Sequence, residues 1–267
     1  ILPLGAFSVG LKHESLAEMA TMKRAGAVAL STGRRSVSDS RLMVNGLEYA
    51  AQFGLTTLIR PVDAALARDG VMHEGALATR LGLNGIPAAA ESTAVARDIR
   101  LAEHVGAHIA FGPISSADSL DDILRAKSRG RTSVSVFASI DHLIETEESV
   151  SNYSPNARLD PPLRADSDRE ALRDAAVKGS LDALCSDHWP QGPLEKDNPF
   201  SEARPGRIGL QTSFARSVEL WLREGWPILR LVALWTSGPA GILGRNDLGT
   251  LAVGSRANLA VFQPFAK

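Results

Sequence analysis

Asp187-His188 stands at the end of the apolar run Leu181–Cys185, and Trp189-Pro190 then stops any regular structure. The run reads as a buried strand, so the polar pair falls at its C-terminal end. In parallel α/β proteins that end is where loops gather and chemistry is done. A carboxylate there can act as a general base or assist a metal, provided other imidazoles or carboxylates project beside it. The other candidates are His73, His142 and His188, the cations Arg34, Arg35 and Arg60, and the one thiol, Cys185. Each has a plainer reading. An aspartate at a strand end more often caps a turn or binds arginine, and a lone histidine is usually a packing residue. Arginines are commonly solvated or ion-paired, and a single cysteine behaves as a small buried apolar group.

Six strand-then-helix units must position these groups. The strands read as Ile1–Ser8, Ala27–Leu30, Leu55–Ile59, Ala107–Phe111, Thr132–Ala138 and Leu181–Cys185. Asp39 caps a helix with Leu42, Met43, Leu47 and Ala50 on one face, ended by Gly54. Capping-box spacings at Ser15–Glu18 and Ser167–Glu170 open two further helices. Residues 60–87 read as irregular, two late helices cover about 210–224 and 227–236, and Leu251–Phe262 reads as a strand-like tail. Alternation of this kind argues for a parallel sheet wrapped by helices. Six units leave an open doubly wound sheet, or a barrel whose first two units lie upstream of Ile1. No glycine-rich fingerprint follows any strand, which counts against a dinucleotide site.

Composition narrows the classes. The chain has 267 residues, 44% apolar and 22% charged, with a formal net charge of −1. That charge offers no electrostatic case for nucleic acid or an anionic membrane. One cysteine excludes an internal disulfide framework and fits a reducing compartment. No run approaches the ~18 apolar residues of a membrane span and no signal peptide opens the chain, so a cytoplasmic protein is expected.

From Ala157 onward the motifs are specific. Leu159-Asp160-Pro161-Pro162-Leu163-Arg164, Asp168-Arg169-Glu170-Ala171-Leu172, Asp187-His188 and Gly209-Leu210-Gln211-Thr212 resemble the dihydroorotases of the amidohydrolase superfamily. Met72-His73-Glu74-Gly75, Thr79-Arg80-Leu81-Gly82-Leu83 and Gly85-Ile86-Pro87 agree. The resemblance implies a (β/α)8 TIM-like barrel of the metal-dependent type over residues 1–245, with its first two strands absent. It implies that 246–267 are C-terminal strands of a small β-domain.

In that family a strand-end site holds one or two metal ions, usually zinc, which lower the pKa of bound water to about 7. The resemblance places the bridging ligand at Thr32, a neutral hydroxyl. It places the two central histidines at Arg60, a cation, and Pro113, which has no ligand atom. Asp187 keeps the position of the general base, while Asp160 and Gln191 take substrate-binding positions, Gln191 replacing a histidine. No metal is expected on these residues. The resemblance is nearest to the non-catalytic homologues that assemble with aspartate carbamoyltransferase. It implies an inactive structural or regulatory partner in pyrimidine biosynthesis, oligomeric, with no nucleic-acid or membrane partner. Two alternatives remain open: an active zinc-dependent dihydroorotase using Asp187 with upstream ligands, and a sensor in which Arg34, Arg35 or Arg60 receives a metabolite carboxylate.

Overall fold

The computed structural model describes residues 1–263. Six strands form one sheet: β1 (Leu4–Ala6), β2 (Ala29–Ser31), β3 (Thr57–Ile59), β6 (Ile109–Ile114), β7 (Val134–Ser139) and β8 (Ala183–Cys185). Between β3 and β6, β4 (Met72–His73) and β5 (Gly85–Ile86) make a separate two-stranded sheet. Every pairing in the large sheet is parallel, and its spatial order β1-β2-β3-β6-β7-β8 follows the chain without reversal. A doubly wound sheet reverses its strand order at a switch point, whereas a barrel does not. The sheet is therefore an arc of a (β/α)8 barrel.

Side chains alternate across the strands as the pleat requires. Ile59, Ile109, Phe111, Val136 and Leu184 point outward into the main core. There they meet Met43 and Leu47 of the Ser40–Gln52 helix, Val95 and Ile99 of Ala89–Val105, Ile123 of Ala117–Arg129 and Leu172 of Asp166–Lys178. The inward face is smaller: Ala110 and Ala183, with Leu58 and Phe137, packed against Ile242. Gly46 lets the helix approach the sheet, since a Cβ there would lie 2.1 Å from the ring of fully buried Phe7. A third cluster, Met72, Leu77, Val150, Leu159, Leu163 and Phe200, gives the β4–β5 lobe its own small core. Among the described residues no helix is long and apolar enough to cross a membrane.

The six expected strands all form, and Asp39 caps its helix by accepting from the amides of Arg41 and Leu42. Both capping boxes fail. The first helix begins at Met19, because Ser8 and Leu16 form an antiparallel bridge that holds the preceding residues in a loop. The later helix begins at Asp166, before Ser167, and the Glu170 carboxylate pairs with Arg169 and Arg173 instead of closing a box. The stretch read as irregular contains β4, β5 and the Ala76–Leu81 helix, elements too short to show periodicity. A short Ser237–Ile242 helix was also not expected. The tail from Leu251 to Gln263 carries no strand: a strand needs a ladder partner, and none of the described residues supplies one. The last four residues of the expected C-terminal strands, 264–267, lie outside the described residues.

Candidate functional site

Because the strands run parallel, their C-terminal ends share one face, and the loops there bring together groups distant in sequence. Arg60 leaves β3 with 5% of its surface exposed. Its Nη1 lies 3.8 Å from Asp187 Oδ2 and its Nη2 lies 3.3 Å from Asp160 Oδ1. Arg34, on the loop after β2, donates from Nη2 to Asp187 Oδ1 at 3.0 Å. Its guanidinium stacks over the Trp189 ring, 3.9 Å from the centroid, a cation–π contact. Asp187 has φ +39°, a left-handed conformation that aspartate adopts more readily than most residues. One carboxylate is thus gripped by two guanidinium groups.

Thr32 is fully buried and its Oγ1 accepts from the Arg60 amide at 3.2 Å, tying the ends of β2 and β3 together. Pro113 is buried within β6. His142, after β7, is 3% exposed. Its Nδ1 accepts from Ser139 Oγ at 2.9 Å while Nε2 donates to the Pro161 carbonyl at 3.1 Å. Burial holds its pKa below the ordinary imidazole value, so it is neutral and fully used. Its neighbour Asp141 pairs with Arg207 at 2.7 Å and with Arg216, and Glu145 pairs with the same two arginines.

The structure separates other candidates from Asp187. His188 is exposed, and its Nδ1 accepts from the amides of Gly209 and Leu210, which makes it a loop tie. Gln191 donates from Nε2 to the Pro205 carbonyl at 3.0 Å. Arg35 is exposed. His73 sits in the β4–β5 lobe beside Arg164, with its pKa lowered by burial and then by that guanidinium. Burial, and then the Asp187 charge, pushes the Cys185 thiol up to about 12, which leaves no thiolate for nucleophilic work.

One cluster was missed by sequence reasoning. Glu91, 2% exposed, accepts from the amides of Ser115 and Ser116 and from both hydroxyls, at 2.6–3.0 Å. Arg164 donates to Ser115 Oγ at 3.0 Å and to the Ile86 carbonyl at 2.6 Å. The available signal was a single carboxylate following Ala88-Ala89-Ala90 on the buried side of a helix.

Residues 1–119 match the family described as Dihydro-orotase-like. The chain is 41% identical over 264 residues to a dihydroorotase of Geobacter sp. (strain M21), covering 99% of this chain and 62% of that protein. It is 43% identical over 270 residues to a dihydroorotase of Anaeromyxobacter dehalogenans (strain 2CP-1), covering 100% of this chain and 62% of that protein. The chain is similar in sequence to these dihydroorotases over nearly all of its length. It spans about three fifths of the length of these curated relatives. Among solved structures, L-hydantoinase from Arthrobacter aurescens superposes with TM-score 0.82 at 22% identity, over 96% of this chain and 59% of that one. Dihydroorotase from Saccharomyces cerevisiae superposes with TM-score 0.68 at 14% identity, over 86% and 64%. These likenesses give the fold alone: the arc is part of a TIM-like barrel.

The resemblance of the motifs to dihydroorotases implies a metal, and the residues at this face do not fit one. Among the described residues no three His, Cys, Asp or Glu side chains come together as a ligand set. Asp187 and Asp160 are both engaged by arginine. Two guanidinium charges and two carboxylates already sum to zero.

Proposed function

We propose that this dihydroorotase-like chain is catalytically inactive and serves in pyrimidine biosynthesis as a structural or regulatory partner of aspartate carbamoyltransferase, in a cytoplasmic oligomer. The observation carrying this reading is Arg60, a buried guanidinium facing Asp187 and Asp160 at a position where the family resemblance puts a metal-ligating histidine. Two unit charges ~4 Å apart repel by about 4 kcal/mol at an effective dielectric near 20, and a divalent ion doubles that. Thr32 and Pro113, at the other two ligand positions the resemblance assigns, offer nothing to offset the repulsion. Asp187 is then a former general base held as an arginine counter-ion, while Asp160 and Gln191 are former substrate contacts. The test is hydrolysis of dihydroorotate by the purified protein with zinc supplied, alongside sedimentation with aspartate carbamoyltransferase. No turnover together with a stable complex is expected, and zinc-dependent turnover would overturn the reading.

Two observations favour other readings. The relatives carry the name dihydroorotase, which supports an active zinc-dependent enzyme converting between carbamoyl-aspartate and dihydroorotate, with Asp187 as base and further ligands outside this chain. Loss of that turnover on Asp187→Ala is its signature. Separately, Arg34 Nη1 and Arg60 Nη2 are buried without a hydrogen-bond partner, which supports a carboxylate-binding sensor. Calorimetry with carbamoyl-aspartate tests it, and absence of heat ends it.

A further inference from the structure

We propose that His13 is a pH-operated latch on the loop that delivers Arg34 to the strand-end face. The segment after β1 is closed by the Ser8–Leu16 bridge, and inside it Gly10, Leu11 and His13 all have left-handed φ values of +55 to +61°. Two of these three carry side chains, a conformation that costs free energy and persists only where surrounding contacts enforce it. The His13 amide donates to Ser8 Oγ at 3.0 Å, which fixes the backbone. The imidazole then reaches the loop after β2 with both nitrogens: Nδ1 lies 3.2 Å from the Ser36 carbonyl and Nε2 lies 3.0 Å from the Thr32 carbonyl.

A carbonyl oxygen only accepts, and a neutral imidazole has only one N–H. Both contacts are hydrogen bonds only when the ring is the imidazolium. In the neutral form one of them sets a ring lone pair against a carbonyl lone pair. The two carbonyls bracket Gly33, Arg34 and Arg35, so the charged ring closes the loop at both ends. Arg34 is the residue of that loop that holds Asp187 and covers Trp189.

The charged groups around His13 are few. Its own segment carries Lys12 and Glu14, both exposed. The facing loop brings Arg34, turned to Asp187, and Arg35, exposed. Among the described residues no carboxylate pairs with the ring, so backbone carbonyls set the latch. Histidine changes charge between about pH 5 and 8. The latch is closed while both ring nitrogens carry protons and loosens when one proton is lost. This goes beyond the proposed function and does not depend on whether the site is catalytic.

The test is 15N NMR of the His13 ring together with hydrogen-exchange protection of residues 33–38 in the purified protein from pH 5 to 8. Both ring nitrogens are expected to carry protons at the acid end. Loop protection should fall by about tenfold as the ring deprotonates, the equivalent of one lost hydrogen bond. The Trp189 indole resonance should move with the same midpoint. His13→Asn keeps a side chain tolerant of left-handed backbone and should remove the pH dependence. A neutral ring with a protected loop across the whole range would overturn the proposal, as would unchanged pH dependence in His13→Asn. If that variant does not fold, the wild-type titration decides alone.

Discussion

Arg164 and Arg60 are both buried guanidinium groups at the strand-end face, with 4% and 5% exposure, yet their surroundings differ. Arg164 donates to Ser115 and the Ile86 carbonyl, beside a Glu91 carboxylate that itself accepts from two amides and two hydroxyls. No polar atom of Arg164 or Glu91 is left buried and unpaired. Arg60 has two carboxylates at 3.3 and 3.8 Å, and its Nη2 has no well-aligned acceptor. Buried polar groups in native proteins are nearly always satisfied, so an exception calls for an explanation. The Glu91 hub is a completed structural joint between the β6 loop and the β4–β5 lobe. The Arg60 site is a cluster of charges whose donors and acceptors do not fully match.

The largest effect should come from breaking the completed hub. Glu91→Ala removes the carboxylate to which the amides and hydroxyls of Ser115 and Ser116 donate and whose charge favours the Arg164 guanidinium, leaving Ser116 Oγ only Ser119 Oγ. A loss of about 3–5 kcal/mol is expected, as for a broken buried charge network, read by urea denaturation. A loss under about 1 kcal/mol would erase the contrast between the two clusters. Asp187→Asn should cost less, about 1–3 kcal/mol, because it weakens charge-assisted bonds around a side chain that is 17% exposed. Arg60 keeps Asp160 and Arg34 keeps Trp189 in that variant. Should Asp187→Asn prove the more damaging of the two, the strand-end face would be the better-built site.

Much of the fold was legible, and the reasons lie in particular residues. Strand-length apolar runs such as Ala107–Phe111 and Leu181–Cys185 mark buried parallel strands whatever their neighbours do. Asp39 was readable because its cap uses only amides two and three residues ahead. The Ser15 box misled because the bridge to Ser8 is tertiary and local spacing does not carry it, and the Ser167 box because the helix starts one residue earlier and Glu170 is taken by Arg169 and Arg173. At the site, Asp187 and Arg60 stood out by their strand-end positions. Their pairing could not be read, since 127 residues of chain separate them and only closure of the sheet joins them. Glu91 stayed hidden for the same reason.

Asp98 lies between the two arginine clusters in completeness. Its Oδ1 accepts from Arg97 at 2.8 Å while Oδ2 is buried without a partner, and burial pushes its pKa from 3.8 up to about 6. The folded state therefore keeps a proton that the unfolded chain releases near pH 4. Stability should fall as pH rises from about 4 to about 6 and level off above, since the folded state binds more protons in that window. Asp98→Asn should flatten this slope in a series of unfolding curves, and an unchanged slope would assign it to other groups. The smallest effect belongs to the exposed Lys178–Asp174 pair. Lys178→Ala should change stability by under about 0.5 kcal/mol, which sets the scale against which the buried clusters are judged.

The central claim is that arginine charge has replaced metal at the strand ends, and zinc content tests it most directly. The purified protein, loaded with zinc, dialysed and measured by plasma mass spectrometry, should retain well under one ion per chain. Retention of one or two ions per chain, lost on Asp187→Ala, would contradict the account and return the site to the metal-dependent class.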